Sequence, residues 1–134
     1  MLFSLSPAIV GADTRVKVEL PDMMREHMLS NMRDHLLALE EITAFLANQN
    51  YEEAAEVAEN RLGMSSLNLH GASHMGKFMP KAMGVIGTNM HRAASRFATS
   101  ARDAELDGGL NKAFLALSEV MKQCVACHSG YKVH

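Results

Sequence analysis

Cys124 and Cys127 stand three positions apart, and His128 follows the second directly. On a helix this spacing puts both thiols on adjacent turns, where they can bond the two vinyl groups of one porphyrin. The histidine after the second thiol then falls under the iron as its proximal ligand. Cys-x-x-Cys-His is therefore the attachment signal of a c-type haem. The chain has two cysteines in all, and both lie here. Two rival chemistries fit less well. A thioredoxin-like pair follows a strand in a βαβ unit, and the sequence shows no such pattern. A zinc site needs two further ligands of the right kind, and the remaining histidines are scattered. The motif predicts one covalent haem c with its iron, held by Cys124 and Cys127, with His128 proximal.

The motif continues a periodic run. Leu110, Phe114, Leu117, Met121, Cys124, His128 and Tyr131 recur at alternating steps of four and three, the seam of a helix packed in a bundle. The haem should then lie within the core. A matching seam, Met28, Met32, His35, Leu39, Ile42 and Leu46, runs along a first helix expected from about Pro21 to Asn48, with Met24 extending the face. Pro21 suits a first helical position and Asp22 complements the positive end of the dipole.

Asn48-Gln49-Asn50 reads as a turn. Asn50 with Glu53 resembles a capping box for a second helix over Tyr51–Leu62, whose inner face is Tyr51, Ala54, Ala58 and Leu62. Gly63 is expected to close it as a left-handed cap. Residues 64–79 loosen into a connection with one short helical turn. Pro80 opens a third long helix carrying Met83, Ile86, Met90, Ala93 and Phe97, which fades near Asp103. Asp107-Gly108-Gly109 turns into the fourth.

Composition agrees with helices. The chain has 134 residues, enough for one domain with a real core, and 48% are apolar, but aromatics make up only 5% and Trp is absent. The net charge of −2 and the lack of a basic run point to no nucleic-acid partner. No apolar run approaches the roughly 20 residues of a membrane span. Residues Met1–Ala12 are apolar and end in Val10-Gly11-Ala12, a pattern suited to export cleavage before Asp13, although a basic start is missing; a terminal tail is the other reading. From Thr14 to Leu20 charged and apolar residues alternate as in a strand. With no second strand in view, this stretch reads as an extended arm.

Four amphipathic helices with mostly short turns predict an all-α, up-down-up-down antiparallel four-helix bundle. Residues 1–20 form the export remnant and arm, and 21–134 the bundle domain. First and fourth helices then run antiparallel, so residues 24–32 should face the iron from the side opposite His128.

At this point the chain resembles a known family. Cys124-Val125-Ala126-Cys127-His128-Ser129-Gly130-Tyr131-Lys132 is similar to the C-terminal signature of the class II c-type cytochromes, the cytochrome c-prime family, where an aromatic and a basic residue follow the haem motif. The resemblance covers about Pro21 to Lys132. Met28-Leu29-Ser30-Asn31-Met32-Arg33 is similar to the family's low-spin branch, in which a methionine precedes an asparagine and an arginine at these spacings. The resemblance implies Met28 as second axial ligand opposite His128, with Tyr131 and Lys132 at the haem-binding positions. The chain departs from the family in its Met- and His-rich connection and its strand-like arm.

Each position also has a plainer reading. Methionines on a seam ordinarily fill gaps, and that is the role expected of Met32; Met24 ranks second to Met28 as a ligand. His35 lies about 10 Å along the helix from Met28, so it reads as a core histidine bonded to a neighbour. His27 falls off the seam and should be solvated. Arg25 and Arg33 read as surface charges, with pairing to a haem propionate as the less favoured role. Lys132 is otherwise a terminal lysine, and Tyr131 should close the pocket by packing.

Three functional classes follow. A haem with His and Met ligands transfers one electron and has no substrate site, so the chain is not expected to be an enzyme. Its partner is then a redox protein of unassigned identity, its compartment the bacterial periplasm, and homodimerisation is left open by the sequence. If Met28 only packs, the haem is five-coordinate and binds NO or CO. A third class is metal handling by His70, His74, Met75 and Met79, since thioethers with imidazole suit Cu(I).

Overall fold

The computed structural model describes residues 11–134; the export-signal reading falls mainly on residues outside that range. The described chain is all-α, with strand confined to two residue pairs. In order it runs β1 (Val16–Lys17), α1 (Asp22–Ala47), α2 (Tyr51–Val57), α3 (Ala72–Met75), α4 (Lys81–Asp107), α5 (Leu110–Gly130) and β2 (Tyr131–Lys132). The three long helices lie where the sequence places them, with α4 running on past Asp103 to Asp107. The one-turn α3 is the helical turn expected in the connection.

Pro21 precedes α1 with extended backbone and Asp22 sits in its first turn. The helix ends where the Asn48 side chain donates to the Ala44 carbonyl at 2.8 Å and Gln49 adopts a left-handed φ of 60°. At Asn50 no side-chain cap bond forms, so the capping box is absent. α2 passes directly into a wider π-helical turn, Ala58–Leu62. Gly63 is extended (φ −74°, ψ −175°), not left-handed, because its N–H bonds back five residues to the Ala58 carbonyl at 2.7 Å. Its need for glycine is steric. A Cβ there would lie 2.6 Å from Glu59 Oε2 and 2.7 Å from the Glu59 carbonyl oxygen. A 3₁₀ turn, Met64–Ser66, follows. Gly108, at φ 69°, is the left-handed cap that reverses α4 into α5.

The main core is built from small residues around a few large ones. Ile42, Leu46, Leu62, Phe97 and Val120 are fully enclosed, with Ala94, Ala98, Ala101 and Ala113 letting α4 and α5 approach closely. That close fit corrects the expected seam of α5. Its buried face is Ala113, Leu117 and Val120, while Phe114 (44% exposed) and Met121 (42% exposed) turn outward. Alanine at the contact brings the axes together, and the bulkier neighbours are displaced to the flanks.

A second, smaller cluster gathers Val18, Leu20, Met28, Met75 and Met83, with Met24, Met32, Met79, Cys127 and Tyr131 packed against it. The arm is therefore partnered, contrary to expectation. β1 pairs in parallel with β2 in the register Val16↔Tyr131 and Lys17↔Lys132. The second strand was hidden because it is only two residues long and directly continues α5. The α4 backbone packs closely on both α2 and α5, as do α1 and α2 on each other, whereas α1 keeps its distance from α5. Side chains and cavities occupy that gap.

Candidate functional site

Two apolar cavities flank the end of α5. The first, about 190 Å³, is walled by Met32, His35 and Leu39 from α1, Ile86 and Met90 from α4, and Cys124, Cys127 and His128 from α5. The second, about 160 Å³, lies between Met28, Leu29 and Met32 of α1, Met83 of α4, and Cys127, His128, Tyr131 and Lys132. Met32, Cys127 and His128 border both. The helical turn Cys124–His128 thus borders the space that α1 leaves open.

Both thiols are half-buried and free. Burial pushes each above the ordinary thiol range, with the Cys124 sulfur adding to the effect at Cys127. Cys124 Sγ donates to the Val120 carbonyl at 3.6 Å. His128 itself is exposed. Met28 is buried and borders the second cavity with His128, so the start of α1 and the end of α5 meet there. Met24 packs against the same cluster without bordering either cavity. Tyr131, partly buried, packs against this cluster.

The rim of the second cavity is basic. Arg15 and Lys132 both border it, and both pair with Asp13, at 2.8 and 3.2 Å. Arg15 and Lys132 hold the Asp13 carboxyl below the usual carboxylate range. Arg15 also donates to the His128 carbonyl at 3.5 Å, tying the arm to the motif. Of the other arginines, Arg25 pairs with Asp22 at 2.9 Å and Arg33 is exposed.

These features suit the group that the motif implies. Two thiols and an imidazole open onto apolar cavities, which matches a macrocycle with two vinyl arms and a metal. At one rim Arg15 and Lys132 share Asp13, which leaves one net positive charge facing the cavity. Beyond the two thiols and His128, Met28 is the buried sulfur on the facing helix.

The polar part of the site was largely missed in the sequence. His35 is bonded to a neighbour, as expected: its Nε2 lies 3.3 Å from His70 Nε2. His70 and His91 are both buried and both face Ser66 Oγ at 3.4 Å, while His91 Nδ1 donates to the Leu62 carbonyl at 2.7 Å. Leu62 offers that carbonyl because it is the last helical residue, and the final carbonyls of a helix find no partner within it. The four residues weighed for Cu(I) fall in different settings, with Met75 and Met79 together in the methionine cluster. His70 turns to His35, His74 is exposed beside Ser73, and Met75 is buried in the methionine cluster with Met79 at its edge. Among the described residues no group of three or more His, Cys, Asp or Glu is arranged to hold a metal ion. No described helix is long and apolar enough to cross a membrane. Compared with known proteins, the chain matches no family model, no curated protein and no solved structure.

Proposed function

We propose that this chain is an exported c-type cytochrome built on a four-helix bundle, which carries single electrons through one haem held by Cys124 and Cys127, with His128 and Met28 as axial ligands. The observation that carries the reading is the shared cavity wall. Cys124, Cys127 and His128 open onto one apolar space, and Met28 stands buried across the adjoining one. The bound haem supplies the one-electron couple, and its thioether ligand favours the reduced state. The protein's part is to exclude water with Leu39, Met83 and Met90, to fix the thiols on one helical turn, and to present a carboxylate with the one net positive charge of the Arg15–Asp13–Lys132 group. No side chain is asked to take or give a proton to a substrate, so no enzymatic activity is proposed. Thioether formation requires reduced cysteines and an export-linked assembly apparatus, which assigns the mature protein to the periplasm with a redox protein as partner.

The packing of Met28 among Val18, Leu20, Met75 and Met83 favours a second reading. Burial alone accounts for its place, and the haem would then be five-coordinate and bind NO or CO. Absorption spectra of the oxidised and reduced protein separate the two. Low-spin spectra in both states, with haem resistant to acid–acetone extraction, are expected. A high-spin oxidised protein would favour gas binding, and extractable haem would end the covalent assignment.

A further inference from the structure

We propose that His35 and His70, joined Nε2 to Nε2 at 3.3 Å behind the wall of the first cavity, form a proton site whose occupancy is coupled to the charge held in that cavity. The inference rests on the haem reading above and adds a proton to it. His35 is the link: it borders the cavity with Cys124, Cys127 and His128, and its ring also touches His70, with centroids 4.7 Å apart.

The partners fix the protons of the neutral cluster. Ser66 Oγ donates to the Gly63 carbonyl at 2.7 Å, so towards His70 Nδ1 it can only accept. His70 therefore carries its proton on Nδ1, and its Nε2 is an acceptor. His35 must then carry its proton on Nε2, which leaves Nδ1 of His35 as the lone pair that can take another. His91 is set independently, because the Leu62 carbonyl requires a proton on Nδ1. The buried members are satisfied in this state, and among the described residues no buried side-chain nitrogen or oxygen lacks a partner. One added proton fits; two positive rings at this separation would repel strongly.

The surroundings hold the pair neutral at pH 7. Burial, and then the neighbouring rings of His70 and His91, bring His35 down to about 4. Burial and His91 also lower His70. The charged and titratable groups facing the pair are Asp34 and His27 from α1, Arg61 from the π-turn, His91 from α4, and the cysteines and His128 from α5. Asp34 favours the proton, but Arg61 binds and neutralises it, and Glu41 lies on the far side of Arg61. The strongest variable left is the charge in the cavity. When a one-electron donor reduces the protein, one positive charge is lost beside His35, and the pair takes a proton from solvent. Oxidation returns that proton to water.

The test is the reduction potential of the holoprotein between pH 4 and 8, in the parent, His35→Gln and His70→Gln, with dithionite and ferricyanide as electron donor and acceptor. The parent potential should fall as pH rises through the acidic window, by up to about 59 mV for each tenfold change in proton activity, and both variants should flatten it without a change of spin state. Proton NMR of the parent's histidine rings gives a measurement that needs no variant: His35 should titrate at higher pH in the reduced protein. Equal pH dependence in parent and variants, or one His35 titration in both redox states, overturns the coupling. An electroactive low-spin protein with that result leaves the electron-carrier reading standing, whereas a chain without covalent haem removes both.

Discussion

The backbone N–H of Val18 donates to the carbonyl of Lys132 at 2.8 Å. This bond, next to the Val16–Tyr131 and Lys17–Lys132 pairing, joins the arm to the residues that follow the cysteine–histidine motif. Val18 is 3% exposed and belongs to the cluster that includes Met28. Val18→Ala should cost about 1–2 kcal/mol, and Val18→Asp more, because an unpaired carboxylate would be buried. Urea titrations read both; an Asp variant as stable as the parent would show the arm to be undocked in solution.

Met28→Leu keeps the volume and removes the sulfur. Under the proposed ligation the variant becomes high-spin, loses the charge-transfer band of a methionine–iron bond and falls in potential. Volume-conserving core swaps usually cost less than about 1.5 kcal/mol, so the fold should survive and the spectrum is interpretable. A spectrum identical to the parent's would move the search to Met24→Leu.

Stability should fall in acid through His35. Its folded value of about 4 lies below the ordinary 6.5, so the unfolded chain binds more protons in between. Stability therefore rises with pH across that window, is complete above about 6.5 and is lost towards 4. At about 1.36 kcal/mol per unit, the full effect is on the order of 3 kcal/mol. Asp34, held low by Arg61, works in the same direction at lower pH. Unfolding free energies from pH 4 to 7 should show this slope in the parent and a flatter one in His35→Gln.

Arg61 joins α1 to the π-turn, bonding Asp34 Oδ1 at 2.5 Å, the Asp34 carbonyl at 3.2 Å, and Glu41. Two carboxylates and a carbonyl converge on one guanidinium, a geometry that an ammonium cannot reproduce. Arg61→Lys should lose roughly 1–2 kcal/mol and Arg61→Ala roughly 2–3. Thermal melts that rank the two variants the other way would contradict this assignment.

Gly63→Ala sets a Cβ against the Glu59 backbone at 2.7 Å. The chain must shift, and overpacking of this kind costs about 1–3 kcal/mol. Because the same turn carries the Leu62 carbonyl to His91, the variant should also disturb the His91 resonance. A normal melt with an unchanged spectrum would show that the turn relaxes freely.

Much of the helical framework was legible in the sequence, because Ile42 and Leu46 on α1 and Met83, Met90 and Phe97 on α4 repeat at helical spacing and bury where the period says. The error in α5 has a physical source: seam reading favours large apolar residues, so it chose Phe114 over Ala113, while contact with the alanine-rich α4 selects the smaller. The β1–β2 pairing was invisible because two residues carry no period. Cys124, Cys127 and His128 declared themselves by spacing. His91 and Ser66 did not, because their roles arise from a π-turn and a loop that no local pattern announces, and polar residues joined across a fold leave no common interval in the chain.

The strap formed by β1 also sets an order of assembly. Asp13 and Lys132 are 119 positions apart, so their contact has a large loop-closure entropy and comes after the local helical hairpins. The thiols sit near the end of the chain, behind the surface that this strap completes. During folding, the helices can form while that side of the cavity is still unlatched, and under the proposed function this is the stage at which the haem enters. Once the two ends meet, Arg15 and Lys132 border the closed cavity, so under the proposed function the strap seals a guest that the thioether bonds already hold.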